Sequence, residues 1–103
     1  MNSAQDFESV AQAFLMVPGV SRAKMFGSPT LKTGSKVFAC LFKGTLVVKL
    51  PADRVSTLIA SGMGRPFDPG MGRIMKEWVV ITSANAVQMR SYCDEARAYV
   101  NRR

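Results

Sequence analysis

The chain has 103 residues, of which 48% are hydrophobic, and a formal charge of +7 with a pI near 10.0. It has no histidine and two cysteines, so Ser-His-Asp and Cys-His chemistry and a closed structural zinc site within one chain are excluded. No run approaches the ~18 to 20 apolar residues of a membrane helix, and the opening MNSAQDFESV carries acids where a signal peptide would carry Lys or Arg.

These features describe one domain spanning 1–103, expected in the cytoplasm with no membrane partner, no cofactor and no metal. The carboxylates Asp6, Glu8, Asp53, Asp68, Glu77, Asp94 and Glu95 are scattered, with no DxD or ExxE cluster for magnesium or for acid/base work. No catalytic residue emerges, and the expectation is a protein that is not an enzyme. A small enzyme using Cys, Lys or carboxylates is the weakest reading, and it would need a deep polar pocket with shifted titratable groups.

The first predicted element is a helix over 4 to 17, where Phe7, Val10, Ala11, Phe14 and Leu15 recur at helical spacing. Ser3 followed by Asp6 resembles a capping box, and Pro18-Gly19 stops the helix. From Val20 to Leu50 turn residues at Gly27-Ser28-Pro29, Thr33-Gly34 and Lys43-Gly44 divide the chain. The expectation is an antiparallel meander of about three strands near 20 to 26, 36 to 42 and 45 to 50, with Thr30 and Leu31 prolonging the first.

No acid lies between Glu8 and Asp53, so this stretch carries a strongly positive surface. Arg22, Lys24, Lys32, Lys36 and Lys43 are the candidate contacts to nucleic acid or another anionic partner. The plainer reading is that these cations keep a sheet edge soluble. No RNP-type aromatic pattern or helix-turn-helix accompanies them, so sequence-specific readout has no support.

The strand 37 to 42, VFACLF, is apolar on both alternating sets, where a half-exposed strand would alternate with polar residues. Something is expected to cover its second face. Phe38, Cys40 and Phe42 are the candidate interface, either under one of the chain's own helices or in a symmetric homodimer.

Pro51 and Asp53 open a short helix with Val55, Leu58 and Ile59 inward, and Gly62 ends it. Residues 62 to 72, GMGRPFDPGMG, read as a loop without regular structure, whose Met63, Phe67 and Met71 are either core plugs or an adaptable contact surface. A strand is predicted over 73 to 82, with Trp78 read as a core anchor. A helix closes the chain from about Ala84 to Asn101, capped by Ser83 or Asn85. Cys40 and Cys93 read as small core residues. The expected fold is α+β: a two-layer sandwich with an antiparallel sheet of four to five strands and flanking helices, in the order α-β-β-β-α-β-α.

Lys24-Met25-Phe26-Gly27, followed by GSKVFACLFKGTLVVKL, resembles the TfoX (Sxy) N-terminal domain family. That family has a Met-Phe-Gly turn, a glycine before an aromatic strand, and a strand ending in Leu/Val-Lys-Leu. Ser61-Gly62, Pro66-Phe67, the segment from Gly72 to Trp78 and the last helix continue the likeness over most of 7 to 100. The resemblance implies a stand-alone, single-domain member with a compact α/β fold. It also implies a non-catalytic regulatory or protein-interaction module, accessory to transcription regulation and working through an unidentified protein partner. Direct, nonspecific nucleic-acid binding is the alternative.

Overall fold

The computed structural model describes residues 3–25, 27–68, 72, 75–82 and 84–102. Helix α1 (Ser3–Phe14) buries Phe7, Val10, Ala11 and Phe14, the stripe its periodicity set out. The side chain of Ser3, and with it the expected cap, lies outside the described residues.

Four strands follow where three were expected: β1 (Val20–Met25), β2 (Ser28–Thr33), β3 (Lys36–Phe42) and β4 (Thr45–Lys49). Thr30 and Leu31 belong to a separate strand because the chain reverses between Met25 and Ser28, where Gly27 has φ 74°. Phe26, in that reversal, lies outside the described residues. Each connection in the meander has two residues. At Lys43-Gly44 both φ values are positive, 52° and 78°, the mirror-image turn whose twist matches the strands it joins.

Helix α2 (Ala52–Ala60) buries Val55 and Leu58. Its end is a Schellman arrangement, with Met63 N–H donating to Leu58 O (3.0 Å) and Gly62 N–H to Ile59 O (3.1 Å). Gly62 supplies the required positive φ, 81°. The segment expected to be irregular then makes a short strand, β5 (Gly64–Pro66).

Of the strand expected over 73 to 82, the described residues show β6 (Trp78–Ile81). A turn precedes it, in which Trp78 N–H donates to Met75 O at 3.1 Å, while Arg73 and Ile74 lie outside the described residues. Helix α3 (Ala86–Asn101) begins with a full capping box: Asn85 Oδ1 accepts from Gln88 N–H and Gln88 Oε1 accepts from Asn85 N–H, both at 2.9 Å. Asn85 is therefore the cap; Ser83, the other candidate, lies outside the described residues.

Among the described residues six strands form one antiparallel sheet in the order β1-β2-β3-β4-β6-β5. All three helices lie on one face. The main core joins Phe7, Phe14, Val55, Leu58, Met89, Cys93 and Val100 of the helices to Leu31, Phe38, Leu46, Val48 and Val79 of the sheet. Arg54 Nε donates to Glu95 Oε2 at 2.8 Å, tying α2 to α3. The architecture is thus the two-layer α+β sandwich, with the element order α-β-β-β-β-α-β-β-α. Among the described residues, no helix is long and apolar enough to cross a membrane.

One irregularity decides which side chains face where. Leu31 pairs with Ala39, but Lys32 pairs with Val37, leaving Phe38 as the extra residue of a β-bulge. Simple alternation puts Phe38 with Cys40 and Phe42. The bulge instead turns Phe38 to the helical side, where its ring lies 5.8 Å from that of Phe14 and is fully buried. Phe38 is therefore a core residue and cannot form part of an interface. Val37, Cys40 and Phe42 are left on the other face.

Candidate functional site

The helix-free face of the sheet is not bare. Phe67, from the loop after β5, lies across it and is 1% exposed, packed with Cys40, Val47 and Trp78. Its ring meets that of Phe42 edge-on at 5.3 Å and that of Trp78 at 6.4 Å. Phe67 is a plug for the second face, and Trp78 is the core anchor that its setting suggested. Cys40 sits fully buried beneath the plug, so the expected contact surface shrinks to half-buried Phe42. Met63, grouped with Phe67 in the sequence, is by contrast 55% exposed, and Met71 lies outside the described residues.

Beside the plug an open groove of about 580 Å³ runs between β4, β6 and β5. Its floor is half-buried Val80, directly paired across β4 and β6 with the fully buried Val47. Phe42, Pro66 and Phe67 form apolar walls, and Lys43, Arg65 and Asp68 stand at the rim. Arg65 is placed there because β5 pairs it with Val80. An apolar floor with two cations and one carboxylate above it suits an apolar side chain carried by a polar or acidic backbone segment.

The five basic candidates do not converge on one face. Arg22 donates to Glu8 through Nη1 (3.2 Å to Oε1) and through Nη2 to Oε2. These hydrogen bonds, and then the one from Gln12, hold the Glu8 carboxyl below the usual carboxylate range. Lys24 lies two residues on, on the same side of β1. Lys36 Nζ donates to Val100 O (3.1 Å) near the C-terminus of α3, where a cation also complements the helix dipole. Lys32 shares the opposite side with its partner Val37. Lys43 is in the β3–β4 turn with Nζ 5.4 Å from the Phe42 ring centre. Three of the five thus lie on the helical side and two on the other, and Arg22 and Lys36 already bind groups within the chain.

No model of a protein family, no curated protein and no solved structure matches this chain.

Among the described residues no three Cys, Asp or Glu side chains come together as a metal-binding group. Both thiols are buried, Cys40 beneath the plug and Cys93 in the main core. Burial pushes both Cys40 and Cys93 up to about 12, with the nearby Asp94 charge adding to the effect at Cys93. Arg65, the groove residue that sequence reasoning passed over, stands in a glycine- and proline-rich stretch that reads as irregular. The signal for it was the doubly apolar strand VFACLF, which required a cover and so required the following loop to come close.

Proposed function

We propose that this domain is a non-catalytic protein-interaction module, a regulatory accessory to transcription as the resemblance to the TfoX N-terminal family implies, and that the groove beside Phe67 receives its protein partner. The observation that supports this reading is the groove's make-up: apolar Val80, Phe42 and Pro66 under a charged rim of Lys43, Arg65 and Asp68. Such a mixture is what a small recognition site offers to a side chain anchored by polar contacts.

The division of the cations between two faces weighs against nucleic acid as the main ligand, since phosphate tracking needs them along one path. Cross-linking tests the choice. Thr45 also lines the groove, and with both native thiols buried, Thr45→Cys gives a single accessible point there for a photoactivatable maleimide reagent. In native cells it is expected to capture a protein, and Arg65→Glu is expected to abolish the capture. Nucleic acid on the cross-linker would replace this reading with the alternative. A broad hydrolase and transferase screen showing turnover lost on changing one residue would overturn its non-catalytic part.

A further inference from the structure

At the opposite end of the sheet β1 is an outer strand, bonded to β2 alone. The phase of its backbone is set by a bond just beyond it, in which Gly34 N–H donates to Gly19 O at 2.9 Å. Hydrogen-bonded and non-bonded pairs alternate along an antiparallel ladder. The register from Val20↔Thr33 to Met25↔Ser28 therefore makes Ser21, Ala23 and Met25 the residues bonded to β2. The backbone N–H and C=O groups of Arg22 and Lys24 point out of the sheet. Val20 N–H, also directed outward, donates to Val17 O at 3.2 Å, but among the described residues no such bond takes up the outward groups of Arg22 and Lys24. The strand is six residues long with no proline, and a concavity of about 420 Å³ opens beside Arg22, Ala23 and Lys24.

We infer that β1 receives an extended acidic segment of a partner protein as a seventh strand. This second contact rests on the reading of the domain as a protein-interaction module and uses a different part of the sheet from the groove. The charges select the occupant. Were β1 to pair with β1 of a second copy about a two-fold axis, outward residues would face outward residues, and the two registers of greatest overlap would set Arg22 opposite Arg22 or Arg22 opposite Lys24, like charge against like. An acidic strand reverses the sign at the same positions.

The Glu8 carboxylate on Arg22 shows that an acid can reach that guanidinium, and an exposed pair of this kind exchanges readily for another carboxylate. On the other side of β1, Ser21, Ala23 and Met25 are half-buried, so the alternate residues of the partner are small or apolar. The segment recognised is thus an alternation of acidic and apolar residues over about five positions, held by main-chain bonds with its carboxylates beside Arg22 and Lys24.

The test uses the whole ¹⁵N-labelled chain and an end-capped synthetic peptide, Glu-Val-Glu-Val-Glu. Expected are peptide-dependent shifts along β1 and slowed amide exchange at Arg22 and Lys24, with no such response to Lys-Val-Lys-Val-Lys. The double variant Arg22→Glu, Lys24→Glu, its fold checked by circular dichroism, is expected to bind the acidic peptide about tenfold more weakly or worse and to accept the basic one. No protection at Arg22 and Lys24, or equal binding of both peptides by the native chain, overturns the inference. Shifts centred on Val47, Val80 and Phe67 overturn it too while leaving the groove in place as a protein site. Failure of the cross-linking at Thr45 with this binding intact removes the groove alone.

Discussion

Cys40 and Cys93 lie on opposite sides of the sheet, one under the Phe67 plug and one in α3 against the main core. Both are fully buried, and their thiols are pushed from about 9.0 to about 12 because a thiolate would lose its hydration there. The folded chain therefore holds these protons more tightly than the unfolded one. Their contribution to stability is complete below pH 9 and is lost as the pH climbs from 9 through 12. Two outcomes are expected: neither thiol reacts with a maleimide at pH 8 until denaturant is added, and the urea midpoint falls more steeply over pH 9 to 12 in the native chain than in Cys40→Ala, Cys93→Ala. Equal slopes would contradict the assignment. The two cysteines were legible in the sequence, since each stands in an apolar pattern that a small hydrophobic side chain fits.

Among the elements, β2 was merged with β1 in the sequence reading, and β5 was concealed outright. Its composition, Gly-Arg-Pro, argues against a strand, yet its position follows from its neighbours. A Cβ on Gly64 would lie 2.6 Å from Val79 Cγ2 and 3.2 Å from Leu58 Cβ, so the absence of a side chain lets α2 and β6 close on β5. Gly64→Ala is expected to cost about 1–3 kcal/mol in denaturant unfolding, whereas the same change at Gly72, with nothing within 4 Å of its Cβ, meets no neighbour and tests backbone strain alone. A Gly64→Ala protein as stable as the native one would show that this contact is loose.

The bulge at Phe38 was hidden for a related reason. Residue alternation gives the two faces of an isolated strand, but a bulge exists only in the pairing of two strands. No local pattern in VFACLF says that Lys32 will meet Val37 rather than Phe38. The helices, whose caps and stripes are local, were read within a few residues. The faces of β3, and with them the interface assigned to Phe38, were not.

For the molecule as a whole, the expectation of a homodimer rested on an apolar second face. Phe67 and Trp78 supply much of that cover from within the chain, and among the described residues Met25, Val37, Phe42, Met75 and Val80 are the half-buried hydrophobics packed against them. Sedimentation equilibrium is expected to return a monomer at high micromolar concentration. Phe67→Ala, which uncovers Cys40 and Val47, should lose about 3–5 kcal/mol and begin to self-associate. A native dimer dissociated by Val37→Lys would restore the two-fold interface. The charge distribution was likewise half legible: an acid-free stretch from Glu8 to Asp53 promised a positive surface, but which side each cation takes depends on strand register.

The strand order carries a consequence in time. Within β1 to β4 each strand lies beside its sequence neighbour, joined by two-residue turns, so this part zips up through short loop closures. By contrast β5 precedes β6 in the chain but touches the sheet only through it. Among the described residues its sheet partner is β6, which pairs with β4 in turn, while α2 packs against β5 at Gly64. Pairing of Arg65 with the sheet therefore waits on the pairing of β6 with β4. A partner seated in the groove would touch β5 together with the strands whose pairing must come before it, and so would act as a clasp on that late step.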